Sequence, residues 1–247
     1  MSGQNKTTLK ADFEKFDIAF ADWKKKNPCK QFSDYSTQRI DSGLKKGRAH
    51  CTLGLNIAGD VNWWDHGRPA FKSIMEQVAI PTDAKVLEIG CGSARVGVHF
   101  IERQDTGCYY GLDVTDAFFA YCPDLIGELL IEKKAKFGVI PEKLEEAISW
   151  NADLVFSTAV TLHVCPEEED AHFSTIKKIA HQQEASIVLQ SYLYEKNIRF
   201  SRSGWARPQD YFSRLMHPFV LVNSMDDGVW ESNGYVIDVK FLTFRRV

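Results

Sequence analysis

Residues 86–95 read VLEIGCGSAR, and how they are read decides the fold. Val86, Leu87 and Ile89 make an apolar run of strand length, bounded by Gly90 and Gly92. Glycines there let the main chain approach a ligand closely, because no Cβ intervenes. A buried strand that runs into a glycine turn and then a helix is the usual ligand cradle of a parallel α/β sheet. Glu88 is the misfit, since an acid in such a strand carries a large burial cost unless something partners it.

Outward from this stretch the same pattern recurs. Strand-like runs fall at 85–90, 108–113, 136–140, 153–158, 186–193, 218–223 and 235–244, with helical patterns between the earlier ones. The first five are apolar on both sides, as strands covered by helices on both faces must be. The last two are joined by SMDDGVWESNG, a connection rich in turn residues that predicts an antiparallel hairpin. The expected fold is a doubly wound α/β domain over residues 81–247, with a mostly parallel seven-stranded sheet closed by that hairpin.

Residues 1–80 read as a helical N-terminal extension, expected to cap the active site. Phe13, Phe16, Phe20 and Trp23 recur at helical spacing between residues 11 and 26. Residues 27–62 are polar and glycine-bearing, which predicts irregular structure with room for one short helix. A further helix is expected to start with Pro69 in its first turn, bury Phe71, Ile74, Met75 and Val78, and end before Pro81. Downstream, Pro166 opens another helix whose acidic run 167–170 and terminal Lys177 and Lys178 complement the helix dipole, a better account of the run than a metal site.

Composition narrows the partners. The 247-residue chain has a formal net charge of −3 and a pI near 6.2, so no strongly basic face points to nucleic acid. Its six cysteines show no metal-ligand or redox spacing, which predicts free thiols and no metal site. Without an apolar leader or a membrane-length run, the chain reads as soluble and cytoplasmic. A homodimer is compatible with all of this.

Two cofactor classes compete for the glycine turn. A dinucleotide fingerprint needs a third glycine where this chain has Arg95, and it gives no reason for an acid beside a pyrophosphate. The run Glu88-Ile89-Gly90-Cys91-Gly92-Ser93-Ala94 instead resembles motif I of the Rossmann-like (class I) S-adenosylmethionine-dependent methyltransferases of small-molecule type, with Ala94 at the usual third glycine. In CYYGLDVTD, Asp113 stands 21 residues after Gly92, where that family carries its second acid.

The resemblance covers roughly residues 82–190 and implies S-adenosyl-L-methionine as cofactor. It implies cofactor contacts from Glu88, Gly90, Cys91 and Gly92, a ribose grip by Asp113, and Val114 against the adenine. Upstream, in VNWWDHGRPAF, it implies that Trp64 and Arg68 lie over the cofactor, the arginine on its methionine carboxylate. The end of the third strand, residues 140–142, should approach the adenine but carries no matching family acid. The stretch ADLVFSTAVTLHVCPEEED resembles the family's fourth strand and following loop, which makes His163 the candidate catalytic base.

His50, His66 and His217 are reserve bases. Arg199, Arg202, Arg207 and Arg214 either read an anionic group on the acceptor or form a salt-bridged surface. The fourth-strand loop lacks the family's Asn/Asp-Pro-Pro-aromatic motif, and Cys165-Pro166 reverses the Pro-Cys order of cytosine-type enzymes. The expected reaction is therefore methyl transfer to a small molecule, at a hydroxyl oxygen rather than an amine, on a sugar or anionic metabolite. A non-catalytic scaffold with this fold and an RNA-modifying enzyme remain the alternatives.

Overall fold

The computed structural model describes residues 3–47, 63–119 and 122–246. Three helices come first: α1 (Gly3–Lys26), α2 (Phe32–Leu44) and α3 (Trp63–Gln77). Strands and helices then alternate through β1 (Val86–Ile89), α4 (Gly97–Arg103), β2 (Tyr109–Asp113), α5 (Cys122–Lys133), β3 (Lys136–Val139), α6 (Leu144–Ser149), β4 (Leu154–Ser157), α7 (Glu169–Ile179) and β5 (Ser186–Leu193). A small hairpin of β6 (Ile198–Ser201) and β7 (Gly204–Ala206) follows, then α8 (Gln209–Met216) and two long strands, β8 (Phe219–Ser232) and β9 (Tyr235–Arg246).

Seven strands form one sheet in the order β3-β2-β1-β4-β5-β9-β8. The first five are parallel, β9 is antiparallel to β5, and β8 is antiparallel to β9. The mostly parallel sheet with a final hairpin matches the sequence pattern. From β1 the chain steps outward through β2 and β3, then returns to place β4 and β5 on the other side. The crevice between β1 and β4, at their carboxyl ends, is where such sheets hold ligands.

Strand residues alternate between the two faces. Leu87 and Ile89 join one core layer with Phe173 and Ile176 of α7 and Phe212 of α8. Val86 joins the opposite layer with Ile74 of α3, Val98 and Phe100 of α4, and Ile126 of α5. Glu88 has the parity of Val86, so its carboxyl is directed beneath α4. The fold thereby commits an acid to a dry interior.

Three expectations are corrected. Residues 32–44 form a full helix, α2, in the stretch expected to be mostly irregular; its Phe32 and Tyr35 are buried against Phe16, Phe20 and Trp23 of α1 and Trp205 of β7. Tertiary burial of two aromatic residues outweighs a weak local pattern. Pro69 lies inside α3 rather than in its first turn. The turn before it is held by packing, because a Cβ on Gly67 would stand 1.8 Å from the Arg95 carbonyl oxygen.

The third correction concerns the closing hairpin. β8 continues to Ser232 instead of ending near residue 223, and Asp226 to Gly228 are absorbed as a register shift, with Gly228 at φ +103°. The actual turn is Asn233-Gly234, both at positive φ, as the tight two-residue turn of twisted strands requires. The β6–β7 hairpin was not foreseen. The described cysteines, Cys29, Cys91, Cys108, Cys122 and Cys165, are free thiols, and Cys51 lies outside the described residues.

Candidate functional site

The turn after β1 is built for close approach. Gly90 and Gly92 have φ of +76° and +53°, and Ala94, at the third-glycine place, also has positive φ at +58°. A Cβ on Gly90 would meet Val160 Cγ2 at 2.1 Å, so the loop after β4 lies directly on the turn. Cys91 is buried beneath it.

Asp113 ties this turn to the end of β2. Its Oδ2 accepts the Gly92 N–H at 2.8 Å and its Oδ1 accepts the Val114 N–H at 2.7 Å. Burial raises its pKa, opposed by these amides and that of Thr115. Both carboxylate oxygens are thus already engaged, so a ligand hydroxyl would share them with the backbone. The side chain is only 8% exposed, whereas its neighbour Val114 is 48% exposed, an unusual position for valine at the mouth of a cleft.

Glu88 is 1% exposed, and its contacts are with the protein's own groups. The Tyr109 hydroxyl donates to Oε2 at 2.6 Å, and the Gly97 N–H at the start of α4 also stabilises the carboxyl. Burial nevertheless pushes its pKa up to about 8. A Cβ on Gly97 would sit 2.0 Å from the Tyr109 hydroxyl and 2.5 Å from Glu88 Oε2, so a glycine is required where α4 crosses this pair. Glu88 braces the turn from below. Tyr109 and Gly97 escaped sequence reasoning, although Tyr109 shares the β-face parity of Val86 through its register.

The other side of the crevice is formed after β4 and β5. His163 ends a short 3₁₀ turn, Thr161–His163, with Nδ1 2.6 Å from the Ser203 carbonyl oxygen. That contact assigns the proton to Nδ1 and leaves Nε2 as the acceptor. Desolvation lowers its pKa against this hydrogen bond, so the ring is neutral near pH 7. The residue is exposed at the surface of the loop.

Nearby, the Ala159 N–H donates to Gln190 Oε1 at 2.8 Å, and Gln190 Nε2 donates to Asp227 Oδ2 at 2.5 Å. Burial raises the pKa of Asp227 and, with Asp227 adjacent, pushes the Tyr192 phenol up to about 12. Gln190 and Asp227 had no sequence signal, because β8 was expected to end before Asp227.

The four arginines do not form one cluster. Arg207 is 2% exposed, with Nε 2.7 Å from Oε1 of the equally buried Glu169 and a 2.6 Å hydrogen bond to the Val164 carbonyl. Tyr211 completes the group by donating to Glu169 Oε2 at 2.6 Å. The acidic run is therefore more than helix electrostatics: Glu169 is a buried ion-pair partner, and Glu168 Oε1 accepts the Ser33 N–H of α2 at 3.0 Å. Arg199 pairs with Asp17 of α1 at 2.9 Å and lies over Trp205, while Arg214 pairs with Asp210 on the exposed face of α8.

The remaining candidates are dispersed. Arg68 is exposed and 3.4 Å from Asp65, four-residue-turn neighbours on α3. The Trp64 side chain and His50 lie outside the described residues, and His66 and His217 are exposed. Among the described residues no group of His, Cys, Asp and Glu could hold a metal ion, and no helix is long and apolar enough to cross a membrane.

Beside Val114 a cleft of about 840 Å³ opens, lined by Ile140 and Pro141 after β3 and by α2 across from them. Sheet order, glycine turn and the acid ending β2 together define the class I S-adenosylmethionine-dependent methyltransferase fold. A Burkholderia thailandensis 1,6-didemethyltoxoflavin-N1-methyltransferase, solved with S-adenosylhomocysteine, superposes with a TM-score of 0.58 at 13% identity over 88% of this chain and 92% of its own. Synechocystis magnesium protoporphyrin IX methyltransferase with bound S-adenosylhomocysteine gives 0.56 at 13% identity, over 87% and 98%. The cyclase SpnF gives 0.59 at 12% identity, over 77% and 85%. No protein-family model and no curated protein sequence matches the chain.

Proposed function

We propose that the protein is a methyltransferase that uses S-adenosyl-L-methionine to methylate a hydroxyl group of a small molecule. The observation that carries this reading is the glycine turn locked to Asp113 beside an open cleft with an apolar floor. The residues fit the cofactor: backbone amides and Gly90 to Gly92 suit close contact, Asp113 can share a ribose hydroxyl, and Val114 offers an aliphatic surface to a flat base. The methyltransferase neighbours solved with S-adenosylhomocysteine support the same reading.

When bound, the cofactor supplies an electrophilic methyl group on a sulfonium sulfur. The chain's task is to align an acceptor and remove its proton. His163, neutral with Nε2 free of the Ser203 bond, is the proposed base that takes the hydroxyl proton. Asp227, Gln190 and Tyr192 offer polar groups for acceptor binding on the same side of the crevice. The formal net charge of −3 supports a small acceptor over RNA. Helices α1 and α2, docked on β7 and on Glu168, support a capping role for the N-terminal extension.

Calorimetric titration with S-adenosylhomocysteine tests the cofactor assignment, and a purified protein that fails to bind it overturns the proposal. Asp113→Ala is expected to weaken that binding roughly tenfold or more, the value of a charge-assisted hydrogen bond. An unchanged affinity would remove Asp113 from the ribose. SpnF, a cyclase by name, shares this fold, so turnover needs its own test. Label passing from methyl-labelled cofactor into a metabolite extract, and lost in His163→Ala, supports methyl transfer; extract that stays unlabelled favours a non-methylating role.

A further inference from the structure

The cleft beside Asp113 has two unlike sides. Its floor is aliphatic, formed by Val114, Ile140 and Pro141 at the ends of β2 and β3. Its opposite wall is the polar side of α2, including Thr37, Asp41 and Ser42, and that helix belongs to the N-terminal extension rather than to the sheet domain. An apolar floor with a hydrogen-bonding wall suits a flat heterocycle, whose face packs on carbon while its rim needs polar partners. Glu142, the acid that follows β3, is exposed and does not line this cleft.

Two other acceptors on the α2 wall are already committed. Asp34 takes the Gln31 N–H on Oδ2 at 2.7 Å and the Lys30 ammonium on Oδ1 at 3.2 Å. Gln38 Oε1 takes the Trp23 indole N–H at 2.5 Å. Asp41 differs: its Oδ1 accepts the hydroxyl of Thr115 at 3.0 Å, and Thr115 directly follows Val114. Thr115 is itself buried and its Oγ1 also accepts the Ala117 N–H, so this contact fixes where the Asp41 carboxylate stands. A carboxylate has about four lone-pair sites, so one such bond orients it and leaves capacity for a ligand donor.

We propose that Asp41, carried on α2 of the N-terminal extension, reads the adenine of the cofactor by accepting a hydrogen bond from its exocyclic amine. This rests on the cofactor assignment above. An ionised carboxylate only accepts hydrogen bonds, so it favours a base with an amino group at that edge and disfavours one with a carbonyl oxygen there. Base recognition then depends on α2 being docked. The Ser33 to Glu168 bond and the packing of Phe32 on Trp205 become part of cofactor selectivity, at a distance from the base itself.

The test compares S-adenosylhomocysteine with S-inosylhomocysteine, which carries an oxygen in place of the amine, by calorimetric titration of the full chain. The unmodified protein is expected to prefer the adenine compound roughly tenfold or more. Asp41→Ala should bring the two affinities close together, and Asp41→Asn, which can donate to the oxygen, should narrow or reverse the preference. Thr115→Val removes the bond that orients the Asp41 carboxylate without touching the ligand, and should reduce the preference by less than Asp41→Ala does. A preference that survives in both Asp41 variants overturns the assignment of Asp41 while leaving the cofactor reading intact. Failure of the unmodified protein to bind either compound overturns the cofactor reading first, and this one with it.

Discussion

Arg207→Met is expected to destabilise the protein by about 3–5 kcal/mol, because it leaves the Glu169 carboxylate buried without its cation. Both side chains are almost fully buried, the guanidinium also holds the Val164 carbonyl, and Tyr211 is bonded to the same carboxylate. The loss would be read as a lower midpoint of denaturant unfolding at unchanged slope. Arg207→Met combined with Glu169→Leu should recover much of it, since exchanging a whole buried pair for apolar groups is often near neutral. Arg214→Ala removes a pair of similar length on an exposed helix face and should cost no more than about 0.5 kcal/mol. An Arg207→Met cost below about 1 kcal/mol would mean that solvent reaches the pair.

This pair has a functional consequence. Arg207 anchors the loop that carries His163 through the Val164 carbonyl, and Glu169 begins the helix that follows. Breaking it should disorder the proposed base without touching the glycine turn. S-adenosylhomocysteine binding by folded Arg207→Lys, which keeps the charge but loses the planar fork, is therefore expected to change little.

The second large effect is a pH dependence centred on Glu88. Its carboxyl has a pKa of about 8 in the folded protein against an ordinary value of 4.5. Below the ordinary value it is protonated in both folded and unfolded chains and adds no pH dependence. Between there and pH 8 the unfolded chain gives up this proton while the folded chain keeps it, so stability falls as pH rises and levels off above pH 8. A difference of this size is worth roughly 4–5 kcal/mol at the alkaline end. Glu88→Gln keeps the shape and an oxygen for Tyr109 and Gly97 but cannot ionise. Its stability relative to the unmodified protein should improve from pH 5 to about pH 8 and level off above that, and parallel curves would show that the carboxyl is solvated.

That result also bears on what the acid in VLEIGCGSAR does. Its partners are Tyr109 and the start of α4, and at neutral pH burial keeps it protonated. It acts as a hydrogen-bonded brace under the turn rather than a fixed negative charge facing the ligand. An acid at this place separates the turn from a pyrophosphate cradle by sequence, and the structure gives a physical reason for it: α4 crosses so closely that Gly97 leaves no room for a Cβ above the pair.

Much of the scaffold was legible because its determinants are local. Strand β5 was placed at its full extent by apolar periodicity, the glycine turn by two adjacent glycines, and Asp113 by its position at a strand end. Other elements were hidden because their stabilisation is remote. The polar sequence of α2 becomes helical by burying Phe32 and Tyr35 against residues of α1 and β7. The turn-like residues of β8 were misleading because a bulge absorbs them when β9 supplies continuous pairing.

The amino-acid sequence by itself determined the sheet, its crevice and the turn that opens on it, since period, turn chemistry and strand-end position act over a few residues. Only the tertiary structure decided which polar groups meet there. Arg207 finds Glu169 across 38 residues, and Asp41 reaches Thr115 across 74. Such contacts leave no periodic trace, because a hydrogen bond constrains two side chains in space and nothing in between. The polar groups around the crevice and the α2 wall of the cleft beside Val114 are therefore products of docking the N-terminal helices and the terminal hairpin onto a sheet whose strands could be read directly.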